Sequence, residues 1–279
     1  MSENGSLATQ LMDIKGGARG IEYDDKRDRF NMPYCAETSV GDNLNANRII
    51  IGGNAIAIAT QYPYPHQVEA QLQLMVDNCT PVLVVLASST DIQNHQLPVY
   101  FSGSGTFDKL QTQSRFEDYI DLGSDIETKL FKLTISGSHG TIDIPVLHVY
   151  NWPDQRTVSP DTTSKLVTLI ESTIAERRGF HAENNNPVVN DSEKMLPIIH
   201  CKAGVGRSGQ TIAAMAMKRY PELSLETITK DLRASRNDRM VQTSYQMKTL
   251  VKMANGIPTQ NKQQPQKKSA LSWRSLFGK

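Results

Sequence analysis

The residues Ile198-Ile199-His200-Cys201-Lys202-Ala203-Gly204-Val205-Gly206-Arg207-Ser208-Gly209 constrain the fold more than any other part of this 279-residue chain. An apolar, β-rich run meets a glycine-rich loop, and the loop opens into a helical pattern. In that pattern Ile212, Ala213, Met215, Ala216 and Met217 leave almost no polar face. A helix that is apolar nearly all round must be central, and the strand feeding it belongs inside a sheet. The stretch reads as strand, anion cup, helix.

A cysteine at the mouth of such a cup is surrounded by backbone N–H groups above a helix N-terminus, which favours its thiolate and lowers its pKa. Gly204 and Gly206 let the backbone turn its N–H groups inward at positive φ, and Arg207 offers a planar fork of donors for a phosphate. A lone free cysteine is usually a packing residue. Here Cys201, two glycines, Arg207 and the Ser208 hydroxyl follow at C-x-x-G-x-G-R-S spacing, which favours covalent phosphoryl transfer through Cys201 over packing.

His200 to Ser208 resembles the signature of the protein tyrosine phosphatases, H-C-x-x-G-x-x-R-[ST]. Asn151-Trp152-Pro153-Asp154 resembles the family's mobile general-acid loop. Leu44-Asn45-Ala46-Asn47 and Ile58-Ala59-Thr60-Gln61-Tyr62-Pro63 resemble its N-terminal landmarks. Within the family the chain is most similar to the secreted bacterial effector type, over about residues 28 to 256. The resemblance implies a central mixed, twisted α/β sheet with helices on both faces. It implies Cys201 as nucleophile, Asp154 as general acid, and Arg207 with the amides of Lys202, Ala203, Gly204, Val205 and Gly206 as phosphate ligands. It also implies that Ser208 stabilises the leaving thiolate, that His200 orients the loop, and that Gln242 and Gln246 position water. Packing is the competing reading for His200 and Trp152. For the glutamines, spacing alone gives exposed helix residues.

Asp91 stands where the effector type carries a glutamate that holds the catalytic arginine, one methylene longer. Phe30 aligns with the aromatic that stacks on the substrate ring, ordinary core being the alternative. Met32 stands where the family commonly has an aspartate that holds the peptide backbone, with Asp28 and Glu37 as the next candidates for that anchor.

The net charge of +1 gives no global field for nucleic acid or a strongly anionic membrane. Cys35, Cys79 and Cys201 are odd in number and far apart, which argues for a reducing compartment rather than a disulfide framework. His66, His95, His139, His148, His181 and His200 show no paired metal-ligand spacing, and the resemblance implies an enzyme without metal or cofactor. The first residues lack the basic and apolar regions of a secretory signal, and no apolar run is long enough to span a membrane. A soluble monomer is expected. The resemblance alone adds non-Sec export into a host cytosol, with a cytoplasmic protein as the alternative, and an export chaperone as a partner besides tyrosine-phosphorylated proteins.

Along the chain, residues 1–27 read as a loosely ordered polar lead with one short helix, 28–257 as the catalytic domain, and 258–279 as a disordered basic tail. Short strands at 48–51 and 55–59 flank Gly52-Gly53-Asn54, a hairpin signal. Residues 68–76 have helical spacing, and 81–86 form a continuously apolar strand. Residues 88–125 are polar and ambiguous. An antiparallel pair over 130–135 and 142–149 delivers the chain to the acid loop. A helix over 163–178 ends at Gly179, followed by a solvated loop to Lys194. Ser224 opens another helix, and Met247, Leu250, Val251 and Ala254 mark the last.

These features point to a protein-tyrosine phosphatase. The rival enzyme is a dual-specificity or phosphoinositide phosphatase, whose loop in the lipid enzymes carries a second lysine where this chain has Val205. The rival from another class is a phosphotyrosine-binding module without turnover, for which Cys201 and Asp154 would be superfluous.

Overall fold

A computed structural model describes residues 3–123, 126–138, 140–184, 186–191 and 193–256. Helix α1 (Glu3–Met12) precedes a small antiparallel ribbon of β1 (Gly20–Ile21) and β2 (Tyr34–Cys35). Strands β3 (Ala46–Ile51) and β4 (Asn54–Thr60) form the expected hairpin, turned by Gly52 and Gly53, both at positive φ. Next come α2 (Val68–Asp77), β5 (Leu83–Val85), α3 (Ser89–Asn94), β6 (Ser104–Phe107), β7 (Leu110–Asp121), β8 (Glu127–Gly137) and β9 (Gly140–Val149). The chain continues through α4 (Pro160–Glu183), β10 (Ile198–His200), α5 (Gly206–Arg219), α6 (Leu225–Ser235) and α7 (Ser244–Gly256).

The main sheet runs β3-β4-β10-β5-β9-β8-β7-β6. Its centre is parallel, with β10 between β4 and β5 and with β9 beside β5, and both wings are antiparallel. Alternation along the buried strands splits the core in two. Val82, Val84, Leu86 and Ile199 face α1, α4, α5, α6 and α7, whereas Leu83, Val85 and Ile198 face α2. Helices therefore cover both faces, and the central strands are apolar without alternation because neither side meets water. Among the described residues no helix is long and apolar enough to cross a membrane.

Three segments differ from their sequence reading. The lead contains the one expected helix, but α1 is docked: Ala8 and Leu11 are buried in the core, and Arg233 donates to the carbonyls of Leu11, Met12 and Ile14 at its end. The ambiguous region contains α3, β6 and the long β7, on which Phe116 and Tyr119 stand exposed among polar residues. Helix α4 continues past Gly179 to Glu183, with Arg177 donating to the Asp143 carbonyl from its last turns. The basic tail expected over 258–279 lies outside the described residues.

Two imidazoles are sealed in this core. His148 donates Nε2–H to the Ala87 carbonyl at 2.9 Å, and His200 sits at the end of β10. Burial pushes each down to about 4 from 6.5. The unfolded chain therefore binds more protons than the folded one between those values, so stability is complete above pH 6.5 and falls as pH drops toward 4. Each histidine contributes on the order of 3 kcal/mol to that loss. Urea unfolding at pH 7 and pH 4.5 should show the decline, and His148→Gln should reduce its slope; a flat profile would refute neutral buried imidazoles.

Candidate active site

Strand β10 ends at the carboxyl edge of the parallel centre, where open α/β sheets place their ligands. Cys201 follows directly, and five residues later α5 begins at Gly206. Gly204 has φ +68°, and a Cβ there would lie 2.1 Å from the Thr60 carbonyl oxygen, so only glycine fits. Gly206, by contrast, is helical rather than at positive φ. What its missing side chain provides is room, because a Cβ would stand 3.1 Å from both Gln242 Oε1 and Gln246 Nε2.

Amides that turn inward leave carbonyls turned outward, and those need donors. Arg236, from the end of α6, supplies them. Its buried guanidinium donates to the carbonyls of Gly204 at 2.9 Å and Ala203 at 3.4 Å, to the Ala59 carbonyl, and to Asn47 Oδ1 and Asn45 Oδ1. The Leu44-Asn45-Ala46-Asn47 landmark is thus the seat of the arginine that braces the cup. Burial pulls that arginine down to about 10.

Cys201 is 2% exposed. Burial raises its pKa, but the Arg207 guanidinium and the hydroxyl and amide of Ser208 outweigh it and hold the thiol below its ordinary value. Ser208 Oγ is fully buried and has no hydrogen-bond partner within the protein, beside the sulfur whose charged form it favours. His200 contacts the Cys201 carbonyl through Nδ1 at 3.2 Å and the Tyr100 hydroxyl through Nε2 at 2.7 Å. A carbonyl only accepts, so the neutral ring carries its proton on Nδ1 and accepts the Tyr100 O–H at Nε2. His200 therefore fixes the loop by hydrogen bonding, without contributing a positive charge.

Arg207 is fully buried. Its Nη1 donates to Asp91 Oδ2 at 2.6 Å and to the Trp152 carbonyl at 2.8 Å, and its Nη2 to Asp154 Oδ1 at 3.0 Å. The short Asp91 reaches because it is the third residue of α3 in a reciprocal capping box with Ser88, which fixes its carboxylate toward the cup. Burial opposes that carboxylate's charge, but Arg207 and Ser88 hold it below its usual range.

The Trp152-Pro153-Asp154 loop lies against the cup, with the Trp152 carbonyl and Asp154 both on Arg207. Trp152 is buried and donates Nε1–H to the Arg156 carbonyl at 3.1 Å. Asn151 Oδ1 accepts from the Glu127 amide at one end, and Thr157 bonds Gln210 and Thr249 at the other. Asp154 pairs with Lys202 Nζ at 3.2 Å as well as with Arg207.

The cavity over Cys201 is also lined by Lys202, Ala203, Asp154, Phe30, Met32, Arg239 and Gln242. Phe30 is half-buried there, on a segment that Arg29 clamps to the carbonyls of Tyr62 and Pro63. Met32 packs into the core at 8% exposure and offers no charge. Asp28 is spent internally on Arg27, Asn45 and the Asp24 amide, and Glu37 accepts from Cys35 Sγ. Gln242 precedes α7 and faces the cavity. Gln246, fully buried rather than exposed, ties α7 to the acid loop through the Arg156 carbonyl. Among the described residues no three His, Cys, Asp or Glu side chains converge as a metal site.

Sequence reasoning missed Arg236, Tyr100 and His95, the last within 3.2 Å of Lys202 Nζ. Arg236 carries no local signal, because its asparagine partners are nearly two hundred residues away, and Tyr100 fell in the region without periodicity.

A low-pKa thiol on the floor of an amide cup, with a guanidinium inside it and a carboxylate over it, defines a cysteine-based phosphate-handling site. The family model for protein-tyrosine phosphatase matches residues 22–255, and the chain belongs to that family. Tyrosine-protein phosphatase YopH of Yersinia pseudotuberculosis is 40% identical over 238 residues, covering 83% of this chain and 51% of that protein. Secreted effector protein SptP of Salmonella paratyphi A is 35% identical over 226 residues, covering 80% of this chain and 40% of that protein. The chain thus spans about half the length, or less, of these curated relatives. The catalytic domain of human protein tyrosine phosphatase non-receptor type 18 superposes with TM-score 0.62 at 20% identity, over 83% of this chain and 84% of that one; this likeness bears on the fold.

The thiol's environment makes a direct prediction. At pH 6.5 iodoacetate should alkylate Cys201 ahead of Cys35 and of Cys79, whose pKa burial raises. Arg207→Met should slow that reaction about tenfold or more. Mass spectrometry reads the site, and even labelling of the three thiols would refute the depressed pKa.

Proposed function

We propose that the chain hydrolyses phosphotyrosine in proteins through a cysteinyl-phosphate intermediate. The observation that carries this reading is the convergence of Cys201, Arg207 and Asp154 over one cup. The thiolate attacks phosphorus, forming the S–P bond as the P–O(aryl) bond breaks, and Asp154 gives its proton to the departing phenolate. Arg207 and the cup amides take the equatorial oxygens, where charge gathers in the transition state. Water placed by Gln242 then attacks phosphorus. Asp154 takes the water's proton, the S–P bond breaks, and Ser208 receives the returning thiolate with a hydrogen bond. Phe30 forms the wall on which the substrate ring stacks. His200, Asp91, Trp152 and Gln246 stand behind these groups and hold them in place.

Relatives named as a tyrosine-protein phosphatase and a secreted effector support a wider reading. In it the protein works inside a host cell on tyrosine-phosphorylated signalling proteins, reaching them by a non-Sec route with an export chaperone.

Tyrosine is a poor leaving group, with a phenol pKa of about 10. Asp154→Asn should therefore lower kcat strongly for a phosphotyrosine peptide and far less for p-nitrophenyl phosphate, and equal losses would refute the acid assignment. Cys201→Ser should bind the same peptide without releasing phosphate. Turnover above about one percent of wild type would refute the covalent route, and wild-type binding without phosphate release would make the chain a recognition module. Phe30→Ala should raise KM for the peptide with little change in kcat, the mark of a contact made equally in ground and transition states.

A further inference from the structure

Lys202 is the side chain on the cup whose surroundings the reaction leaves unexplained. Lysine normally keeps its ammonium in water, yet this side chain is only 16% exposed. Groups from three segments meet its Nζ: Asp154 Oδ2 of the acid loop at 3.2 Å, His95 Nε2 at 3.2 Å, and the Phe30 ring, whose centroid is 5.8 Å away. An ammonium only donates, so His95 Nε2 accepts and its ring proton resides on Nδ1. His95 is the C-cap of α3, the helix whose third residue, Asp91, holds Arg207. One short helix thus fixes both cations that grip Asp154.

The two grips differ once substrate arrives. Nη2 of Arg207, which now holds Asp154 Oδ1, is a group the phosphate must take. Nζ of Lys202 stands at the rim on the other carboxylate oxygen, so its contact survives phosphate binding. We propose that Lys202 is a positioning residue for the general acid, holding Asp154 over the cup while the phosphate occupies Arg207, with His95 and Phe30 fixing the ammonium. This rests on the reading of Asp154 as the acid.

Steady-state kinetics of the full chain test this with Lys202→Met, Lys202→Arg and His95→Ala, each checked for folding by thermal denaturation. Lys202→Met should lower kcat for a phosphotyrosine peptide about tenfold and for p-nitrophenyl phosphate less than about threefold. Lys202→Arg should recover kcat to within about twofold, and His95→Ala should shift both readouts in the direction of Lys202→Met by a smaller amount. Equal losses on the two substrates, a change confined to KM, or no recovery with Lys202→Arg would overturn the inference. Failure of the underlying reading looks different: unmodified chain that releases no phosphate, or Asp154→Asn without loss on the peptide, removes the acid itself and the inference with it.

Discussion

The site depends on an inversion of the backbone between Cys201 and Arg207. Amides can converge on an anion only if the matching carbonyls point away into the protein, where each unmet acceptor would cost about 1–3 kcal/mol. Arg236 meets that demand from behind, and Asn45 and Asn47 in turn hold Arg236. The chain links involved are long. The hairpin β3–β4, the cup and the end of α6 have to be assembled before the amides have any reason to face inward, so the anion site is a product of the completed fold rather than of a local motif.

The electrostatics follow from burial. Cys201, Arg207 and His200 all lie below the surface, and burial alone would neutralise each of them. The thiol and the guanidinium resist because they face one another and because Asp91 and Asp154 add to the field at Arg207. His200 has no such partner and stays neutral. The same degree of burial thus gives shifts toward the charged form at Cys201 and Arg207 and toward the neutral form at His200, and the difference lies in what each side chain faces.

Much of this was legible in the sequence where the signal is local. The strand–cup–helix stretch, the hairpin at Gly52-Gly53, the buried strand near Leu83 and the Ser224 cap, which accepts from the Thr227 amide, are each set by neighbours along the chain. Asp91 was legible as a position but not as a contact, because its reach depends on the capping box with Ser88. The long β7 was hidden because most of its residues are exposed, Phe116 and Tyr119 among them, and few reach the core. Helix α4 outran its expected stop because Gly179 keeps helical backbone, and the cap falls at Asn184, whose amide and side-chain Nδ2 both donate to the Phe180 carbonyl. Gln246 looked exposed because its partner, the Arg156 carbonyl, belongs to a loop whose closure no periodicity encodes.

The contact between Asp154 and Arg207 has a thermodynamic side. The carboxylate holds an Arg207 donor that an oxyanion would also use, so it is a tethered competitor at a high effective concentration. Any phosphate, sulfate or phosphopeptide must displace it, and the affinity measured for such a ligand is an exchange constant, weaker than the intrinsic grip of the cup by the free energy of the internal pair. Neutralising the tethered carboxylate therefore tightens the hold on such a ligand, and the free energy of the internal pair reappears as a gain in measured affinity.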